Sequence, residues 1–325
     1  MVFVTNECAI GLPDDICIPS DVLLALIEKV KNDKPILNKE LVYELCAKHS
    51  QQIEVYEHGL YDEDTINILN PEVVRSNKPI DPISKKNLFE QLAKSTGIAC
   101  QKCLLDLALT NNIIDKEIHH KIDFYNFKPI GPKPKEWLSN FDIDKVMQQY
   151  RIAYSNFYPY RFNMSDMATK PLYGECALLT TSPVKLYESS LKSLNHLTRF
   201  GVVINTAKST ASGQHWVCIY IDMSTDEWTI EFFNSFPQSY KPINDVMMTL
   251  LKELEEYSAK LSNTITCKIV MIDSVQHQLS SYQCGVYTLY YIDKRNSGVS
   301  YEYFTNPSQP IRDNVIAEFR ARIFH

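Results

Sequence analysis

The stretch SGQHWVCIYIDMSTDEWTIEFFNS, residues 212–235, decides the fold. HWVCIYID and WTIEFFNS are runs of β-branched and aromatic residues broken by a short polar turn, the pattern of paired strands. GVVINTA (201–207) before them and TCKIVMID (266–273) after them read the same way. Between the third and fourth strands lies NDVMMTLLKELEEYSAKLS (244–262), whose apolar residues recur at helical spacing. Its stripe is suited to covering a sheet rather than a membrane or a partner. CGVYTLYYIDKR (284–295) and RDNVIAEFRARIF (312–324) read as two more helices. The C-terminal half is therefore mixed α+β.

Toward the N-terminus the texture becomes helical. Ser20 and Asp21 precede VLLALIEKVKN (22–32), Asn38 precedes KELVYELCAKHSQQI (39–53), and Ser84 leads into KKNLFEQLAKSTG (85–97), which Gly97 closes. IACQKCLLDLALTNN (98–112) is apolar enough for a buried helix. KPIGPKPKEW (128–137) then brings three prolines and a glycine, the composition of a linker. Asp142 caps a helix over IDKVMQQYRIAYSNF (143–157). The expected organisation is a helical domain over 1–127, a Pro-rich linker over 128–137 and an α+β domain over 138–325.

Composition narrows the function classes. The 33 Lys and Arg against 39 Asp and Glu give a net charge of −6, which argues against a dedicated DNA binder, whose affinity would rest on phosphate neutralisation. No run approaches the roughly 18 apolar residues of a membrane span. The opening MVFVTNECAIGLPDD lacks a positive n-region and does not read as a secretory signal. Nine cysteines, an odd number spread from Cys8 to Cys284, do not form an evident disulfide framework, so reduced thiols are expected.

Chemistry concentrates at the ends of the C-terminal elements. His215 and Trp216 open a strand, Asn234 and Ser235 close the next, and Cys284 and Gly285 open a helix, with Gln278 six positions upstream of the cysteine. A helix N-terminus and a nearby imidazolium both favour thiolate, the reactive form of cysteine. His215 can exchange the proton, Asn234 can fix the imidazole tautomer, and the Gln278 amide with the Cys284 N–H can donate to a developing oxyanion. Gly285 would leave the approach to the thiol open, and Trp216 beside the base could wall a narrow channel. Taken singly, each has a plainer reading: a buried thiol, a satisfied polar histidine, turn chemistry at a strand end. Their joint order, His–Asn–Gln–Cys, carries the functional reading. It also differs from papain, where the cysteine comes first.

That order resembles the adenovirus-protease and Ulp/SENP clan of cysteine proteases, and within it the branch that processes polyproteins in African swine fever virus. The blocks 212–235 and 277–292 (HQLSSYQCGVYTLYYI) carry the resemblance, supported by WLSNFDIDKVMQQYRIAYSNFYPYRFNMSDM (137–167) and the closing helix. It covers about residues 137–325 and is weak between 165 and 200; the N-terminal helices resemble that branch's arm domain in position and texture. It implies an adenain/Ulp-like, papain-like catalytic domain, a central mixed sheet flanked by helices, in which His215, Asn234 and Cys284 form the triad and Gln278 the oxyanion donor. Trp216 then flanks the substrate channel, and Asn205 is either a substrate-pocket or a turn residue. The implied substrates are viral core polyproteins cut after Gly-Gly or Ala-Gly during virion maturation, at assembly sites in the host cytoplasm and in the virion. The alternatives are deconjugation of ubiquitin-like modifiers and, from another class, a retired scaffold binding core proteins. No cofactor or metal is implied.

Other signals are read as structural. Cys100 and Cys103 have no second ligand pair at zinc spacing. His119 and His120 sit on a polar boundary and are expected to face solvent. Cys8, Cys17, Cys46, Cys176, Cys218 and Cys267 are expected to be packing thiols.

Overall fold

The computed structural model describes residues 7–10, 12, 16–32, 82–98, 100–169, 178–194, 196–238 and 240–325. The helix expected after Asn38, together with Cys46 and Cys176, lies outside the described residues. The chain divides into two compact units, Met1–Ile130 with His325, and Gly131–Phe324.

The first unit contains helices α1 (Ser20–Asn32), α2 (Pro82–Thr96), α3 (Gln101–Thr110) and α4 (Lys116–Asn126). Leu23 and Leu26 of α1, Leu92 of α2, Leu104 and Leu107 of α3 and Ile122 of α4 form its core. Gly97 closes α2 at φ 74°, a conformation costly for any residue with a Cβ. The sequence did not announce α4. Asp115 caps it, its carboxylate accepting from the Ile118 N–H at 2.7 Å. His119 lies on this helix with Nε2 2.6 Å from Asp106 Oδ1, so it is paired rather than simply solvent-facing.

The cysteines of this unit also correct the sequence reading. Cys8 and Cys17 form one disulfide and Cys100 and Cys103 another, with Cα separations of 5.1 and 5.2 Å. Both separations fall in the range that a disulfide bridges. The proximity of Cys8 to Cys17 comes from folding. Glu7 Oε2 accepts from the Gln101 N–H, and Gln101 Oε1 accepts from the Cys17 N–H, so α3 gathers the N-terminal segment around its first turn.

The second unit is built on one mixed sheet. Its strands are β1 (Phe157–Pro159), β2 (Asn163–Met164), β3 (Arg199–Asn205), β4 (Trp216–Asp222), β5 (Glu227–Phe233) and β6 (Thr266–Ile272). The order is β1-β3-β4-β5-β6, with β2 also pairing β3; β3/β4 and β4/β5 are antiparallel and the other pairs parallel. The helices are α5 (Asn140–Ala153), α6 (Pro183–Ser190), α7 (Lys241–Leu261), α8 (Cys284–Asn296) and α9 (Asp313–Ile323). The α+β class and the four long strands match the sequence reading. The strands β1 and β2, of three and two residues, are too short to show a period, and α6 is only eight residues long. Ser139, not Asp142, is the N-cap of α5. Asp142 returns its carboxylate to the Ser139 N–H at 2.7 Å, completing a capping box.

Alternation along the strands assigns the two faces. Val217, Ile219 and Ile221 of β4 and Ile230 and Phe232 of β5 pack with Val246, Leu250 and Leu254 of α7. The intervening residues turn to α8: Tyr220 meets Tyr291 edge-on at 6.4 Å, and Phe233 stacks on the same ring at 4.4 Å. Both faces are covered, which explains why these strands read as continuous apolar runs. The polar interruption on the α8 face is fully paired. Glu231, completely buried, receives Arg295 through two hydrogen bonds of 2.8 and 2.7 Å, Thr229 Oγ1 at 2.7 Å and the Tyr291 hydroxyl. Arg320 of α9 donates to the carbonyls of Pro132, Lys133 and Glu136, fixing that part of the Pro-rich stretch. Among the described residues, no helix is long and apolar enough to cross a membrane.

Glu231→Ala removes the acceptor of two Arg295 hydrogen bonds, leaving Asp222 Oδ2 at 3.4 Å as the carboxylate still facing the guanidinium, and is expected to destabilise the protein by about 3 kcal/mol. Glu231→Met combined with Arg295→Met should recover most of that loss. Urea unfolding of the two variants measures both; equal losses would show that shape, not charge pairing, matters here.

Candidate active site

The loop joining β3 to β4 is closed at its base by Asn205. This residue is buried, and its Oδ1 accepts from the Ala207 N–H at 3.0 Å and the Gln214 N–H at 3.1 Å. Thr206 N donates to His215 O at 2.8 Å. A Cβ at Gly213 would lie 2.9 Å from Asn205 Nδ2, so the loop can fold back this tightly only with glycine there. Asn205 thus occupies a turn position, and it delivers His215 at the entrance of β4.

Asn234 follows the last residue of β5 and is completely buried. Its Nδ2 donates to Gln238 O at 2.8 Å, and its Oδ1 accepts from the Phe236 N–H at 3.0 Å. These two bonds fix which end of the amide is oxygen. Oδ1 lies 2.8 Å from His215 Nε2, so Nε2 carries the hydrogen and Nδ1 keeps its lone pair. The tautomer follows from the network around Asn234. An aspartate at 234 would set a carboxylate oxygen against the Gln238 carbonyl, where this chain has a donor.

Cys284 begins α8, and the backbone N–H groups of Trp216, Gly285 and Cys284 itself bear on its thiol. The thiol therefore sits beside the peptide that follows His215. Burial pushes the thiol up, and these amides offset only part of that. Burial likewise lowers His215, while the Asn234 bond raises it. The helix N-terminus acts in the expected direction, but desolvation is the larger effect. Both groups are pushed toward neutrality in the free protein.

Trp216 is buried. Its Nε1 donates to Leu138 O at 3.1 Å and its ring meets Phe162 edge-on at 6.2 Å. Gly285 does not open a path to the thiol; a Cβ there would lie 3.1 Å from Trp216 Cδ1 and 3.2 Å from both Ile143 Cδ1 and Leu138 Cβ. Gln278 is held by Ser235. Its N–H donates to Ser235 O at 3.0 Å, and its Oε1 accepts from Ser235 Oγ at 2.8 Å. Its Nε2 gives one hydrogen to Ser280 O and retains a second.

Several contributors carried no sequence signal. Tyr240 stacks on His215 with centroids 6.5 Å apart, and Asp313 anchors the Gln278 loop by accepting from the Ser280 N–H at 2.8 Å. His277, completely buried, donates from Nε2 to Phe304 O and accepts at Nδ1 from the Ile311 N–H, so it is structural. Among the described residues no group of three or more His, Cys, Asp or Glu could hold a metal ion.

Residues 202–325 match the model of the Ulp1 protease family, C-terminal catalytic domain. A cysteine protease of African swine fever virus is 33% identical over 211 residues, covering 61% of this chain and 71% of that protein. The chain belongs to the Ulp1 protease family. Another African swine fever virus relative, named a SUMO-1 cysteine protease, is 32% identical with the same coverage. The crystal structure of an African swine fever virus protease matches with a TM-score of 0.59 and 27% identity, covering 77% of this chain and 92% of that one. This family member is a cysteine protease, as the motif order implied. His215, Asn234, Gln278 and Cys284 all lie inside the family match.

Two titrations check the electrostatics. In ¹⁵N-detected spectra His215 is expected as the Nε2–H tautomer at pH 7, gaining its second proton only below its ordinary value of about 6.5. Iodoacetamide labelling of Cys284 should keep accelerating with pH beyond the range of a free thiol. An imidazolium at pH 7, or labelling that saturates below pH 7, would show that the helix terminus outweighs burial.

Proposed function

We propose that the chain cleaves viral core and structural polyproteins after Gly-Gly or Ala-Gly sites during virion maturation, acting at assembly sites in the host cytoplasm and in the virion. The observation that carries the mechanism is the 2.8 Å His215–Asn234 bond beside a thiol at the start of a helix.

Cys284 gives its proton to His215 Nδ1 and attacks the glycyl carbonyl carbon. The carbonyl π pair moves to oxygen, and the Cys284 N–H with the second Nε2 hydrogen of Gln278 stabilises that charge. Collapse breaks the C–N bond, the leaving amine takes the proton from His215, and a thioester remains. Water, deprotonated by the same imidazole, releases the acid and regenerates the thiol. Asn234 holds the ring in position and contributes no net charge to the imidazolium. Activity is therefore expected to fall as pH drops through the lowered His215 value, because a protonated Nδ1 cannot accept the thiol proton.

Kinship with African swine fever virus proteases supports the viral polyprotein reading. The name of one relative, a SUMO-1 cysteine protease, favours a second reading: removal of a ubiquitin-like modifier from its conjugates. The two differ in whether a folded modifier must be attached to the Gly-Gly tail. None of the 9 glycines in this chain follows Gly or Ala, so no self-cleavage of this type is expected.

A Gly-Gly-aldehyde peptide is expected to form one adduct, on Cys284, that disappears in His215→Ala. The same variant should lower kcat/KM toward Gly-Gly-X peptides by about 10²–10⁴-fold. An adduct on another cysteine, or a His215→Ala enzyme of undiminished kcat/KM, would refute the assignment. A strong preference for a folded modifier over short peptides would favour deconjugation instead.

A further inference from the structure

Beside His215 lies a cavity of about 290 Å³ lined by Thr206, Gln214, His215, Phe236, Gln238 and Tyr240. The network that orients the imidazole also builds it. Asn234 takes the Phe236 N–H and donates to the Gln238 carbonyl, the Tyr240 hydroxyl donates to Gln238 Oε1 at 3.1 Å, and Thr206 hydrogen-bonds the same phenol. The Phe236 side chain is half-exposed and Gln214 is exposed, so the cavity opens to substrate rather than being sealed in the core.

We propose that this cavity receives the side chain of the residue following the scissile glycine, and that it selects uncharged side chains of medium to large size. The inference rests on the reading of the protein as a protease that cuts after glycine. The amine released by cleavage must lie within about 3 Å of the imidazole that protonates it. That amine belongs to the residue after the scissile bond, whose Cα is one bond further on. Its side chain therefore falls against the surface that His215 shares, and His215 forms part of this cavity wall. The residue before the bond is glycine, so side-chain discrimination next to the scissile bond must come from the leaving side.

The lining defines the preferred chemistry. Two aromatic rings offer apolar contact, and two glutamines and a threonine offer neutral hydrogen-bonding groups. Among the described residues, no Asp, Glu, Lys or Arg is in the wall. A charged side chain entering it would lose water without meeting a counter-ion while His215 is neutral, the form in which it receives substrate. The volume corresponds to roughly ten waters at ~30 Å³ each, enough for Leu, Met, Phe or Gln to displace several.

The test uses the full-length protein and peptides of one flanking sequence, Gly-Gly-X, with X as Ala, Leu, Phe, Gln, Lys or Glu. Leu, Phe and Gln are expected to exceed Lys and Glu by about 10–100-fold in kcat/KM. Phe236→Ala should reduce the Phe-to-Ala ratio, a comparison insensitive to any general loss of activity. Gln214→Glu, at an exposed position, should raise Lys relative to Glu at X. Equal rates for all X, or an order that neither variant changes, would remove the subsite while leaving cleavage after Gly-Gly intact. Failure to cut any Gly-Gly-X peptide would overturn the underlying reading, and the subsite with it.

Discussion

Helix α8 meets strand β4 in a contact that would be crowded by a single added methyl group. A Cβ at Gly285 would have Trp216, Ile143 and Leu138 within about 3 Å, the distances being 3.1, 3.2 and 3.2 Å. Because that approach is allowed, the first turn of α8 sits against the start of β4, and the Cys284 thiol lies beside the Trp216 N–H. Trp216 has little freedom to retreat. Its indole donates to Leu138 O, and its backbone is paired with Asn205 in the β3/β4 register. The position of His215, one residue earlier, follows from the same pairing. A residue larger than glycine at 285 would crowd these three side chains, which would have to give by a few tenths of an ångström beside the thiol.

The electrostatics are shaped by that close packing. Contact tight enough to define the geometry also removes water, and removing water disfavours both thiolate and imidazolium. The helix N-terminus and three backbone N–H groups act the other way without prevailing in the free protein. Asn234 fits this environment better than an aspartate would. It orients the ring through an oxygen whose identity is fixed by Phe236 and Gln238, and it adds no buried charge that would need a partner. In the mechanism proposed above, substrate completes the charge arrangement, because the tetrahedral oxyanion and the imidazolium appear together in the same step.

What the sequence made legible depended on period and length. The four long strands, α7, α8 and α9 have apolar patterns sustained over at least seven residues, and all were readable. So was the order of chemical groups, because each stands at an element end marked by a change of texture. The strands β1 and β2 were hidden by their length. α4 was missed because its sequence, KEIHHKIDFYN, is more polar than the helices read from their apolar pattern; its Asp115 cap is a local signal that could have revealed it. The disulfides and the cavity are tertiary facts. Cys8 approaches Cys17 only because Gln101 and Glu7 draw the segment onto α3, and Phe236 and Tyr240 join His215 only because Asn234 binds Gln238. Gly285 was noticed for the wrong reason. A glycine next to a candidate nucleophile suggests access, whereas here it permits helix–strand contact.

The far end of α8 completes the same design. Arg295, in the helix's last turn, reaches Glu231 on β5 through two hydrogen bonds, and the Tyr291 hydroxyl joins the same carboxylate. A cation in the last turn of a helix complements its dipole, as a developing thiolate does in the first. The helix is thus held at one end by a close apolar contact and at the other by a buried ion pair, both made to the sheet that carries His215 and leads into Asn234. A buried ion pair contributes little net stability by itself, because desolvation offsets much of its attraction. Its directional bonds do fix register: sliding α8 along its axis would break Arg295 from Glu231 before the apolar surfaces lost appreciable contact. The position of the thiol along the strand end is therefore set by polar contacts two to three turns away, and its distance from the strand by glycine.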